Sequence, residues 1–181
     1  MKRNVITACI ILFFSSIIGV ILLTYNANRY GEILPASASV VDEKATWQDD
    51  LIYLHNVYRA ENGLEPLHES EVLNDIAKWK VEDMMENCYW SHYIDNKFVS
   101  AEYAKTGIYD YYRFGENLSN ALNAQTMFTA WIASPKHRDN MLGDYGEIGV
   151  YIYPHEYTCK GDDGKIKFEN LTAVIFGIEV E

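Results

Sequence analysis

Apolar positions recur at helical spacing along the chain and give way to β-rich runs near its end. From Thr46 onward, Leu51, Leu54, Val57 and Tyr58 fall on one face. That spacing predicts a first helix, with Thr46 as its N-cap and Asn62-Gly63 as its stop. A second helix is predicted from Ser70 to Asn87, carrying Val72, Leu73, Ile76, Ala77, Lys80 and Met84 at the same spacing. A short helix is expected over Ser100 to Lys105, stopped by Gly107. A further one runs from Ala124 to Ala133 and breaks at Ser134-Pro135, because proline restricts the residue before it. Ile148 to Tyr153 and Leu171 to Val180 are rich in β-formers and flank a turn-prone Lys160-Gly161-Asp162-Asp163-Gly164-Lys165, so they should form a hairpin. Helices first and a late antiparallel hairpin make the fold class α+β, without the alternation of a parallel sheet.

The N-terminal pattern differs. Val5 to Tyr25 carries no charge and is dominated by Ile, Leu, Val and Phe, about the 20 residues a bilayer-spanning helix needs. Lys2 and Arg3 precede it, which orients the rest of the chain outward. Residues 1–25 are therefore expected to be a signal anchor, 26–45 a linker and 46–181 the domain. Secretion after cleavage near Ala36-Ser37-Ala38 is the alternative.

Composition narrows the function. The 181 residues carry a net charge of −11, and no basic run exists that would displace counterions from nucleic acid. Of three cysteines, Cys9 lies in the apolar segment. Cys88 and Cys159 remain for an exported domain, where oxidation is permitted. A bridge and two buried thiols both fit the sequence.

Candidate chemistry concentrates in a few short motifs. These are Ser91-His92, Gly115-Glu116-Asn117-Leu118, and Ser134-Pro135-Lys136-His137-Arg138-Asp139-Asn140, with His55-Asn56-Val57-Tyr58-Arg59 before them and Glu147-Ile148-Gly149-Val150 after. In this order, from about Trp47 to about Gly177, they resemble the CAP superfamily of cysteine-rich secretory, antigen 5 and pathogenesis-related proteins, and its bacterial SCP-domain branch in particular. The resemblance implies a three-layer α-β-α sandwich with a central antiparallel sheet, and one cleft lined by motif residues. It assigns His92 and His137 as the cleft histidines and Glu116 as its first glutamate. Asn117 and Ser134 are added as cleft residues. The family's second glutamate has no counterpart, since Ser134 stands near its expected place.

Two imidazoles and a carboxylate are suitable ligands for Zn²⁺ with an open fourth position, so His92, Glu116 and His137 form a candidate metal set. The family resemblance further implies a cell-surface module binding a small apolar ligand such as a lipid or sterol, or a cell-wall component. The alternative is a metal-dependent hydrolase with Glu116 as general base. Neither a His-Glu-x-x-His helix nor a Gly-x-Ser-x-Gly elbow occurs in the chain.

Overall fold

The computed structural model describes residues 43–161 and 164–180. The predicted membrane segment and most of the linker lie outside the described residues. Among those described, no helix is long and apolar enough to cross a membrane.

Helix α1 (Glu43–Glu61) begins a turn earlier than Thr46. Glu43, Lys44 and Ala45 are good helix formers, and nothing in them stops the helix from extending upstream. The domain thus starts inside the stretch expected to be linker. Gly63 follows at φ 72° and ends α1 as anticipated. Strand β1 (His68–Glu69) leads into α2 (Glu71–Glu86), whose caps are Ser70 and Asn87. A small hairpin of β2 (Tyr93–Ile94) and β3 (Lys97–Phe98) precedes α3 (Val99–Ala104).

Tyr111, Tyr112 and Phe114, for which no element is predicted above, open strand β4 (Tyr111–Asn120). Helices α4 (Ala124–Ala133) and α5 (Pro135–Met141) follow, with Pro135 opening the second one. Proline breaks α4 and also starts α5, since its fixed φ suits a first helical position. Strand β5 (Glu147–Tyr153) and β8 (Leu171–Glu179) pair antiparallel as expected. Their connection is more than a turn: β6 (Tyr157–Gly161) and β7 (Gly164–Phe168) form a separate hairpin between them.

The main sheet has the order β1-β5-β8-β4. It is mixed, not wholly antiparallel, because the two-residue β1 runs parallel to β5. Strand β8 is buried from Leu171 through Gly177, the near-continuous apolar run of a strand covered on both faces. Leu171, Ala173 and Ile175 pack in one core cluster with Leu73, Ile76 and Ala77 of α2. Their neighbours point the other way: Thr172 reaches Met127 of α4 and Phe176 meets the ring of His55 on α1. Helix α2 therefore covers one face while α1 and α4 cover the other, giving three layers.

Strand β5 and α2 come together so closely that only glycine fits at position 149. A Cβ there would lie 2.1 Å from the backbone carbon of Leu73 and 2.4 Å from the Asn74 nitrogen. Helix backbone cannot swing aside as a side chain can. Gly149→Ala is expected to cost about 2 kcal/mol through overpacking, read as a fall in the urea midpoint at unchanged slope.

Candidate functional site

The period-two alternation of β4 explains how the site forms. Glu116 lies opposite Ile175 and Asn117 opposite Val174, so consecutive residues of one strand face different helical layers. Glu116 points to the α2 side. Asn117 points to the α4–α5 side, where its Nδ2 donates to the His137 carbonyl at 3.1 Å. Because β4 is an edge strand, groups from both layers can meet around it. His92 comes from the segment after α2, and His137 from the first turn of α5.

His92 Nδ1 is 2.6 Å from Glu116 Oε1, and the Glu116 side chain is fully buried. Its other oxygen, Oε2, is buried without a hydrogen-bond partner. The ring centroids of His92 and His137 are 6.3 Å apart. Burial first, and the charge of His92 second, lower the pKa of His137, favouring its neutral form. Asn140 Nδ2 donates to the Glu116 carbonyl and to Asn117 Oδ1, both at 2.9 Å, and so ties α5 to β4.

These side chains line a cleft of about 500 Å³. Its lining combines the polar His92, Glu116, His137, Ser134, Asn140 and Lys136 with the aromatic Tyr93, Phe98 and Phe114. Four of the five residues expected at the site reach the cleft. Asn117 is fully buried beneath it and holds α5 in place. The Ser91 hydroxyl is engaged locally with the backbone of Tyr93. Arg138 donates to the Ile132 carbonyl, capping the end of α4.

His92, Glu116 and His137 converge, but not as three metal ligands. Glu116 gives Oε1 to His92 and is fully buried at the cleft wall, which is how a carboxylate orients an imidazole. Among the described residues, no group of three or more His, Cys, Asp or Glu side chains is disposed to hold a metal ion. A zinc site with three direct protein ligands does not fit this arrangement. The same burial bears on a general-base role, because Glu116 Oε1 is already taken up by His92.

Sequence patterns had not indicated three contributors. Asn140 closes the motif that holds His137 but was not singled out, and the cleft aromatics carry no local signal, since they meet only through folding. Lys80 does carry one: it is a cation on the apolar face of α2, and it is fully buried. Its Nζ donates to Tyr89 Oη at 2.9 Å and to the Ser91 carbonyl at 2.8 Å.

A three-layer sandwich whose histidine–glutamate cleft opens at an edge strand defines the class of this protein. The chain belongs to the CAP family, described as the cysteine-rich secretory protein family, which matches residues 52–173. Among curated relatives it is 32% identical over 142 residues to an uncharacterized membrane protein, YlbC, of Bacillus subtilis. It is 29% identical over 118 residues to a second uncharacterized Bacillus subtilis protein, YkwD. Those matches cover 74% and 64% of this chain but only 40% and 44% of the relatives.

Solved structures share the fold. An extracellular SCP-domain protein of Bacillus anthracis aligns with a TM-score of 0.62 at 20% identity, over 75% of this chain and 41% of that one. An outer surface protein of Borrelia burgdorferi aligns with a TM-score of 0.57 at 20% identity, over 77% of this chain and 97% of its own.

Proposed function

We propose that this domain is an extracytoplasmic binding module that holds a small apolar ligand or a cell-envelope component in the His92–Glu116–His137 cleft. The observation that carries this reading is the cleft itself, lined both by imidazoles and other polar groups and by Tyr93, Phe98 and Phe114. Such a mixture of apolar surface and a few placed polar groups is typical of ligand sites. The bridge between Cys88 and Cys159 supports an oxidising compartment. The apolar run from Val5 to Tyr25 supports attachment to the membrane, as does the description of YlbC as a membrane protein.

Hydrolysis has less support. Glu116 is buried with Oε1 on His92, and the Ser91 hydroxyl is engaged in a turn. The test is the cleft content of the purified full chain, by mass spectrometry for small molecules and elemental analysis for metal. A co-purified ligand is expected in the wild type, and Phe114→Ala with His137→Ala should lose it. Turnover of generic peptide or ester substrates, abolished in a folded Glu116→Gln, would replace this reading with the hydrolase.

A further inference from the structure

The outer side of strand β4 carries main-chain groups that the fold leaves open at the cleft. Past an irregularity between Tyr111 and Arg113, β4 pairs with β8 in continuous register from Arg113 to Asn120. In an antiparallel pair, successive residues turn their main-chain groups alternately toward the partner strand and away from it. The carbonyls of Glu116 and Leu118 accept from Asn140 Nδ2 and Trp131 Nε1, on α5 and α4, so these two residues face away from β8. Phe114, two positions earlier, faces the same way. Side chains of α4 and α5 therefore cap this edge only from the Glu116 carbonyl onward. Among the described residues, nothing pairs with the Phe114 N–H, the Phe114 carbonyl or the Glu116 N–H.

These groups border the cleft, which Phe114, Gly115 and Glu116 line as one stretch of strand. Glu116 is 3% exposed as a residue while its side chain has no exposure, so what it shows to the cleft is main chain. An uncovered edge is a template for another strand. Beside this one stands a run of rings, with the Phe98 centroid 5.3 Å from that of Tyr93 and 5.8 Å from that of Phe114. Lys136 lines the same cleft one helical turn before Asn140, where the capping of the edge begins. It is exposed and, among the described residues, has no carboxylate within ion-pair distance. Glu116, by contrast, is already engaged by His92. The unmatched charge of Lys136 calls for an anion at the capped end of the edge.

We propose that the cleft binds the C-terminal end of an extended peptide, which adds to β4 as a short parallel strand and sets its terminal carboxylate against Lys136. One peptide residue donates its N–H to the Phe114 carbonyl and accepts from the Glu116 N–H, the pattern of a parallel pair. The residue before it reaches the Phe114 N–H. Main-chain bonds give such a site its affinity, and the rings take alternate side chains. Asn140 ends the ladder, so the peptide chain stops there.

The inference rests on the cleft being a ligand site and narrows the ligand to a peptide. The probe is a pool of acetylated tetrapeptides randomised over uncharged residues, with a free C-terminal carboxylate, added to the isotope-labelled full chain after any co-purified ligand is removed. Amide NMR should show the Phe114 and Glu116 N–H signals shifting and exchanging more slowly with solvent. A C-terminally amidated pool should bind about threefold more weakly, the scale of one exposed ion pair, and Lys136→Gln should erase that difference. A pool N-methylated at every amide should not bind. Undiminished binding of the N-methylated pool overturns the proposal, as does equal binding of the free and amidated pools to the wild type. A preference for the free carboxylate that survives Lys136→Gln overturns it too. So does the absence of any change at Phe114 and Glu116 with millimolar peptide. In that last case a non-peptide molecule recovered from the cleft leaves the binding-module reading standing, whereas an empty cleft removes both.

Discussion

Removing the bridge by Cys88→Ala with Cys159→Ala is expected to lower the unfolding free energy by about 4 kcal/mol, from the loop-entropy dependence of cross-links. The two residues are 71 apart in sequence and 5.6 Å apart at Cα, so the bridge closes a long loop of the unfolded chain. It also joins the end of α2 to the β6–β7 hairpin. Packing is close there, since a Cβ on Gly161 would lie 2.5 Å from the Cys88 carbonyl oxygen. Denaturant unfolding of the double variant, and of the wild type with reductant, should show matching losses. A loss below about 1 kcal/mol would mean that the reduced, unfolded chain is already constrained.

The second large effect is on pH dependence. His55 is fully buried on α1, its ring among those of Phe128, Trp131 and Phe176. Burial depresses its pKa to about 4, with the nearby Arg59 contributing in the same direction and the Leu51 carbonyl opposing. The unfolded chain therefore binds a proton in a range where the folded protein does not. Stability from this group is complete above the unfolded pKa of 6.5 and is lost as pH falls through about 4. The full effect is on the order of 3 kcal/mol at 1.36 kcal/mol per unit. His55→Leu removes the group, so the difference in stability between wild type and variant should vary with pH across that window. A parallel pair of stability curves from neutral pH to pH 4 would refute the assignment.

Sequence pattern and structure agree best where the signal is local. The spacing in α2 and the caps at Ser70 and Asn87 place that helix, and Ser134-Pro135 ends α4 at the expected residue. Strand β4 escaped because Tyr111 to Phe114 is only partly buried and its alternation is blurred. Its pairing with β8 also spans the distance from Asn120 to Leu171 and beyond, outside any sequence window. The β6–β7 hairpin escaped because its strands alternate between half-buried and exposed, a weak contrast for a pattern to register.

The sequence by itself determined helices α1 to α4, the β-rich end and the family, since each rests on local spacing or a short motif. His92, Glu116 and His137 came together as one candidate site only through the family resemblance. Only the tertiary structure decided the roles within that site. Whether the Glu116 carboxylate is free or engaged with His92 depends on which layer its strand position meets. Whether the Lys80 ammonium sits in water or is buried against Tyr89 and Ser91 depends on how the segment after α2 folds back. Whether Cys88 and Cys159 are thiols or a bridge depends on the separation of two distant segments. Each of these is set by groups far apart in sequence, whose distances and burial exist only once the layers have packed.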